Sequence, residues 1–315
     1  MIIVTGGAGF IGSNIVYGLN KKGIDDIIVV DNMKNAKKHR NLSGMQIYDY
    51  VDKVDFIENL DSFKNYKIDA IIHQGACSDT LEDDGRYMMK NNYDYSKILF
   101  HFALDNNIRF IYASSASVYG NGENGFSEKR ENEYPLNVYA FSKFSFDQYI
   151  RRFINKVNTQ IVGLRYFNVY GPQENHKDKM ASVIYHFHNQ ILETGTVNLF
   201  KGSEGFKRDF VYVDDVVSVN MFFLENADKR GIYNCGTSRA ESFLSIGEIM
   251  KNLYKNVRIE FIDFPQNLKG KYQTFTQADI SLLRESGYSK EFISLKDGVK
   301  QYTDILKQYD GYYKN

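Results

Sequence analysis

Ile2-Ile3-Val4-Thr5-Gly6-Gly7-Ala8-Gly9-Phe10-Ile11-Gly12 opens the chain, and the reading of these eleven residues decides the fold. The β-branched run Ile2–Thr5 reads as a strand buried on both faces, and Ile11–Lys21 reads as a helix. A glycine-rich turn between strand and helix is what a dinucleotide pyrophosphate requires. A Cβ there would hold the backbone away from the phosphates, and the helix N-terminus supplies aligned N–H donors. Glycines alone are a weak signal. Here an acid, Asp31, ends the next β-branched run about 20 residues on, where it reaches a ribose. Gly6, Gly9, Phe10, Ile11 and Gly12 are therefore assigned to the cofactor at the phosphate turn, Asp31 to its adenosine ribose, and Asn32 to the neighbourhood of the ribose 2′ position.

Outward from this turn the first half alternates two periods. Ile27–Asp31, Ala70–Gln74, Arg109–Ala113 and Gln160–Leu164 read as further buried strands. Tyr87–Asp105 and Val138–Asn155 read as helices, with Met88, Tyr95, Leu99 and Phe102 forming one apolar stripe. Strand and helix in alternation predict a parallel sheet with right-handed crossovers: an α/β fold, a doubly wound Rossmann domain over residues 1–170. Residues 171–315 read as a smaller, interleaved α/β lobe, some of whose segments return to the large domain. Its polar start, 172–182, is helix-poor. Val183–Leu192 and Ile246–Leu253 are helices, Phe210–Val213 and Ile232–Cys235 are strands, and Asp214 or Asp215 caps a helix through Leu224.

Composition narrows the function. The 315 residues carry 39 basic and 39 acidic side chains, which argues against a protein built to coat nucleic acid. Cys77 and Cys235 cannot build a disulfide scaffold or a zinc site, and His176, His186 and Asp178 do not form a ligand set, so no metal is assigned. No basic residue precedes Lys21 and no apolar run approaches membrane length, so the expectation is a cytoplasmic protein without a leader.

The cofactor's identity turns on charge. Asp31 suits a ribose 2′-hydroxyl and keeps NAD open. Lys34, Lys37, Lys38, Arg40 and Lys53 crowd the same neighbourhood as a 2′-phosphate would require, and their density favours NADP.

Tyr139 and Lys143 stand four residues apart, adjacent on one helical face. A phenol needs about 4 kcal/mol of differential stabilisation to titrate near 7, which the Lys143 ammonium and a positive nicotinamide could supply together. Upstream, Arg109–Ala113 runs into Ser114-Ser115-Ala116-Ser117 at the carboxyl end of a strand, where doubly wound sheets bind ligands. Ser115 would hydrogen-bond the reacting oxygen.

With the glycine fingerprint, Ser114–Gly120, Tyr139/Lys143, Arg165–Pro172 and Arg208–Asp215 in this order, the chain resembles the extended short-chain dehydrogenase/reductases, the family of nucleotide-sugar epimerases and dehydratases. The resemblance covers nearly the whole chain. It implies a nucleotide-sugar substrate and a homo-oligomer, specifically a homopentamer. Family dehydratases carry Asp-Glu where Ala116 and Ser117 stand here, so elimination lacks its acid and base. An epimerase is favoured; a 4-epimerase, a reductase or a non-catalytic cofactor-binding regulator are the competing readings.

Finer matches point to a branch that inverts an exocyclic carbon. They include Gly75-Ala76-Cys77-Ser78, Asn91-Asn92-Tyr93, His176-Lys177, Gly202-Ser203, Leu268-Lys269-Gly270 and Tyr272-Gln273. The resemblance implies cofactor contacts at Lys38, Lys53, Gln74, Gly75, Ala76, Cys77, Ser78, Asn91, Lys143, Val169 and Lys177. It implies substrate contacts at Asn168, Lys179, His186, Phe200, Lys201, Gly202, Ser203, Arg208 and Tyr272. It also places a second acid/base at Lys177, beside Tyr139. Inversion at an exocyclic carbon calls for one, because the oxygen must turn away from the group that first took its proton. Gln74, Gln173 and Lys179 depart from the family pattern, and Lys179 alters one expected substrate contact.

Overall fold

The computed structural model describes residues 1–264 and 273–314. Twelve strands are found among them: β1 Ile2–Thr5, β2 Ile27–Asp31, β3 Asp49–Asp52, β4 Ala70–His73, β5 Arg109–Ser115, β6 Ile161–Tyr166, β7 Asn168–Tyr170, β8 Thr196–Phe200, β9 Lys207–Tyr212, β10 Gly231–Cys235, β11 Ala240–Ser242 and β12 Arg258–Ile262. Seven of them make one sheet in the order β10-β6-β5-β4-β1-β2-β3. Every pairing in it is parallel. The order reverses between β1 and β4, which opens the crevice in which such sheets bind ligands.

Strand period 2 explains why these runs are apolar throughout. In β1, Ile2 and Val4 face one core while Ile3 faces the other; β2 divides Ile27 and Val29 from Ile28 and Val30 in the same way. The first face is covered by helices Phe10–Lys21 and Val213–Glu225, through Ile15, Val16, Leu19, Val216 and Phe223. The second is covered by Tyr95–Asp105 and Val138–Arg151, through Leu99, Phe100, Phe146 and Ile150.

After β6 the chain leaves to build two small sheets, β11-β9-β7 and β12-β8. They share a third core with helices Val183–Thr194, Phe243–Leu253 and Leu295–Tyr309. Residues 213–235 come back to the large domain, where β10 pairs β6.

Several local expectations shift. The long helix at 87–105 is Gly85–Met89, a wide π turn at Lys90–Asp94, and Tyr95–Asp105. The extra residue turns Asn92 inward, where its amide holds the backbone of Cys77 through both N–H and C=O. Asp214 and Asp215 do not cap their helix. Tyr212 occupies the N-cap position without a side-chain capping hydrogen bond, and both acids sit in the first turn, favoured there by the helix dipole. The polar stretch at 172–182 holds a short 3₁₀ segment, Asn175–Met180, broken at Asp178.

Beneath the carboxyl end of β5 lies a dry polar cluster. Fully buried Arg165 donates to Asp147 at 2.9 Å and to the Tyr119 hydroxyl at 2.9 Å, and it pairs with buried Glu133. Asp147 also accepts from Ser114 and Tyr112, both at 2.9 Å, so the strand end carrying Ser115 is anchored from below. Removing one partner strands the others' charge in low dielectric. Arg165→Leu should therefore cost about 3–5 kcal/mol in urea unfolding, far above a surface substitution.

Candidate active site

A cleft of about 1580 Å³ runs from the β1/β4 crevice into the smaller lobe. Most residues singled out in the sequence line it. They are Gly6, Gly9, Phe10, Ile11, Gly12, Asp31, Asn32, Lys38, Lys53, Gln74 to Ser78, Asn91, Ser115, Tyr139, Lys143, Asn168, Val169, Lys177, Lys179, His186, Phe200, Ser203 and Arg208. Lys201 and Gly202 do not. Lys201 reaches Asp263 at 2.7 Å on the exposed side, and Gly202 supplies the left-handed turn before Ser203. Tyr272 and Leu268-Lys269-Gly270 lie outside the described residues.

The loop after β1 fits a dinucleotide pyrophosphate. A Cβ on Gly12 would stand 2.1 Å from the Gly6 carbonyl oxygen, so only glycine lets the helix begin this close to the turn. Asp31 at the tip of β2 accepts from Ala8 N at 2.9 Å and from the Lys38 ammonium at 2.8 Å. Of the basic cluster, Lys34, Lys38 and Lys53 line the cleft. Lys37 and Arg40 do not: they pair with Asp178 and Asp310, and the argument from their density loses those two charges. Even so, among the described residues that line the cleft, Lys34, Lys38, Lys53, Lys143, Lys177, Lys179 and Arg208 face only two acids, Asp31 and Asp79. A chain of zero net charge has concentrated its cations where a dinucleotide and a sugar diphosphate would lie.

Tyr139 and Lys143 rise from the helix Val138–Arg151, which Asn137 caps by accepting from Ala140 N. Lys143 donates to the Ala113 carbonyl at 2.8 Å, and burial brings its pKa down to about 8. Burial also pushes the Tyr139 phenol up, opposed by its hydrogen bond with Ser115. Ser117, standing where a dehydratase would have an acid, donates to the Ser115 hydroxyl at 2.9 Å. Lys177 enters from the segment Asn175–Met180 with its ammonium 5.2 Å from the centre of the Phe10 ring, and burial lowers its pKa.

The histidines divide. His186 lines the cleft, whereas His188 is packed against the Tyr254 hydroxyl. Cys77 lines the cleft half-buried, and burial raises its thiol pKa, consistent with a small packing residue and not a thiolate. No group of three or more metal-ligating side chains occurs among the described residues.

Sequence reasoning missed the buried polar residues that hold these groups. His73 is the clearest. Gly75 N donates to Thr5 Oγ1, which lies 2.6 Å from His73 Nδ1; His73 Nε2 faces Ser96 Oγ at 2.8 Å, which donates to the Asn92 carbonyl. The direction of this chain requires a neutral ring with its proton on Nε2. Asn92 continues it to Ser142, which donates to the Tyr139 carbonyl. The available signal was a polar residue in an otherwise apolar strand, Ala70-Ile71-Ile72-His73.

The chain belongs to the NAD dependent epimerase/dehydratase family, whose model matches residues 2–236. An ADP-L-glycero-D-manno-heptose-6-epimerase of Brachyspira hyodysenteriae (strain ATCC 49526 / WA1) is 61% identical over 316 residues, with 99% of each chain covered. Among solved structures, the ADP-L-glycero-D-manno-heptose-6-epimerase of Helicobacter pylori superposes with a TM-score of 0.86 at 32% identity, over 98% of this chain and 96% of that one. A UDP-N-acetylglucosamine 4-epimerase from Methanobrevibacter ruminantium M1 gives 0.84 at 26%, over 97% of each.

Burial holds the His73 pKa down to about 3 against 6.5 when unfolded. The unfolded chain binds this proton first, so its contribution to stability is complete above pH 6.5 and is lost as pH falls toward 3, at up to about 1.4 kcal/mol per unit. His176, held near 4, acts in the same sense. Urea unfolding at pH 7 and pH 4.5 should show a shallower acid loss in His73→Gln than in the parent, although the variant starts less stable.

Proposed function

We propose that the protein inverts C6 of the heptose in ADP-D-glycero-D-manno-heptose to give the L-glycero epimer, an isomerase reaction that feeds assembly of the lipopolysaccharide inner core. The observation that carries this reading is the meeting, in one cleft, of the phosphate turn, the Ser115/Tyr139/Lys143 set and a second proton-carrying side chain, Lys177. It joins the 61% identity to an epimerase of that name. Ala116 and Ser117, in place of a dehydratase's acid and base, argue against elimination. Lys177 argues against a 4-epimerase that needs only one base.

A nicotinamide cofactor held by the phosphate turn and Asp31 would supply reversible hydride transfer at C6. The protein's part is to move protons and hold the sugar. Ser115 donates to the C6 oxygen, and Tyr139 takes or gives the proton of that oxygen for one epimer. Rotation about C5–C6 would turn the oxygen away from Tyr139 and toward Lys177, which would serve the other epimer. Arg208, buried on β9 beside Phe243, suits the diphosphate, with Asn168, Lys179, His186, Phe200 and Ser203 around the rest. Lys34, Lys38 and Lys53 favour NADP. The homopentamer implied by the family resemblance and a cytoplasmic location belong to the same reading; no helix among the described residues is long and apolar enough to cross a membrane.

NMR of the protein incubated with ADP-D-glycero-D-manno-heptose should show the epimer accumulating. Tyr139→Phe and Lys177→Met should each slow it by about 10²–10⁴-fold, the range of general acid–base groups, with unchanged circular dichroism. A Lys177→Met enzyme of near-parent rate would leave Tyr139 to serve both faces and overturn the two-base mechanism.

The cofactor preference has its own test. Lys38→Glu should weaken NADP binding far more than NAD binding, measured by calorimetry on nucleotide-free protein. Equal losses would show that Lys38 holds Asp31 and not a 2′-phosphate.

A further inference from the structure

Lys177 sits on a segment whose backbone is held in an uncommon shape. Gln173 and Asp178 both have positive φ, 72° and 47°, although neither is glycine. Such conformations persist only where the surroundings over-determine them. Here the surroundings are the cofactor side of the cleft. The Pro172 carbonyl accepts from Asn14 at 3.0 Å, Gln173 N donates to the Gly311 carbonyl at 2.7 Å, the His176 carbonyl accepts from Asn35 at 2.9 Å, and Asp178 pairs with Lys37 at 2.9 Å.

One side chain touches both parties. Asn41, fully buried, directs its amide nitrogen at the Ala8 carbonyl of the phosphate turn at 2.9 Å and the Gln173 carbonyl at 3.1 Å. The same nitrogen lies 3.2 Å from His176 Nδ1. Two of these three neighbours are carbonyls that only accept, which fixes which end of the amide faces them. The amide carries two hydrogens, which these two carbonyls take, and the His176 ring packs against the same nitrogen. Asn41 does not line the cleft and so does not meet the substrate.

We infer that Asn41 is a positioning residue: by joining Ala8 of the phosphate turn to Gln173 and His176, it sets where Lys177 stands relative to the cofactor. The inference rests on the reading of Lys177 as the second acid/base. A proton donor displaced by about 1 Å can lose roughly 100-fold in rate while binding is little changed.

The test is a double-mutant cycle on the NADP-loaded enzyme, with Asn41→Ala, Lys177→Met and the pair, followed by NMR of the epimer. Asn41→Ala should lower kcat by about 10–100-fold while KM changes less than about threefold. In the Lys177→Met background it should change the residual rate by less than about twofold, because the group it positions is gone. An equal loss in both backgrounds would mean that Asn41 merely supports the fold, and a near-parent kcat for Asn41→Ala would mean that it positions nothing; either overturns the inference. If Lys177→Met itself runs at near-parent rate, the two-base reading has failed, and this inference falls with it for that separate reason. Should Asn41→Ala not fold, Asn41→Ser, whose single hydroxyl cannot join both carbonyls, carries the same expectations and the same overturning results.

Discussion

Two backbones cross at the heart of this protein with no room for side chains between them. Gly6 at the end of β1 lies against Gly75 after β4, so close that a Cβ on Gly6 would come within 2.6 Å of the Gly75 nitrogen. That contact closes the floor of the crevice at the switch point of the sheet. Gly12, packed in turn against the Gly6 carbonyl, lets the helix Phe10–Lys21 start directly at the turn. The loop carrying Gln74 to Ser78 is thereby brought beside the phosphate turn, and the rest of the cleft is arranged around that floor.

The chain then spends buried polar groups, not more apolar ones, on keeping the reacting residues in register. Thr5, His73, Ser96, Asn92 and Ser142 form a continuous path from the phosphate turn to the helix of Tyr139. Arg165, Asp147 and Glu133 hold the end of β5 from beneath. Apolar packing tolerates small slips, because dispersion is non-directional. Hydrogen bonds in low dielectric do not, because a missed partner leaves a desolvated group unpaired. Burial also sets the proton chemistry: it lowers the pKa of Lys143 and Lys177 and raises that of Tyr139.

The smaller lobe contributes by returning. Residues 213–235 rejoin the large sheet, and the C-terminal turn reaches back so that Tyr313 stacks on Tyr17 at 3.9 Å and its hydroxyl donates to Asn14. The segment bearing Lys177 is clamped between these returning pieces and the phosphate turn. A lobe attached by a single hinge would place Lys177 only loosely against the cofactor.

Much of this was legible in the sequence because the signals are local. A strand buried on both faces is apolar along its length until its carboxyl tip, so Ile2–Thr5, Ile27–Asp31 and Ala70–His73 announce themselves; a phosphate turn needs glycine where backbones approach closely; and Tyr139 and Lys143 share a helix face by spacing alone. The π turn at Lys90–Asp94, the small sheets, the outward course of Lys201, and the pairing of Lys37 and Arg40 away from the cleft were not legible. Each depends on a partner far along the chain: Cys77 for Asn92, Asp263 for Lys201, Asp178 for Lys37, Asp310 for Arg40. Which polar side chains face the cleft and which hold it together is likewise decided by long-range hydrogen bonds. Composition and periodicity carry residue type and facing, and only the folded chain brings donor and acceptor within 3 Å.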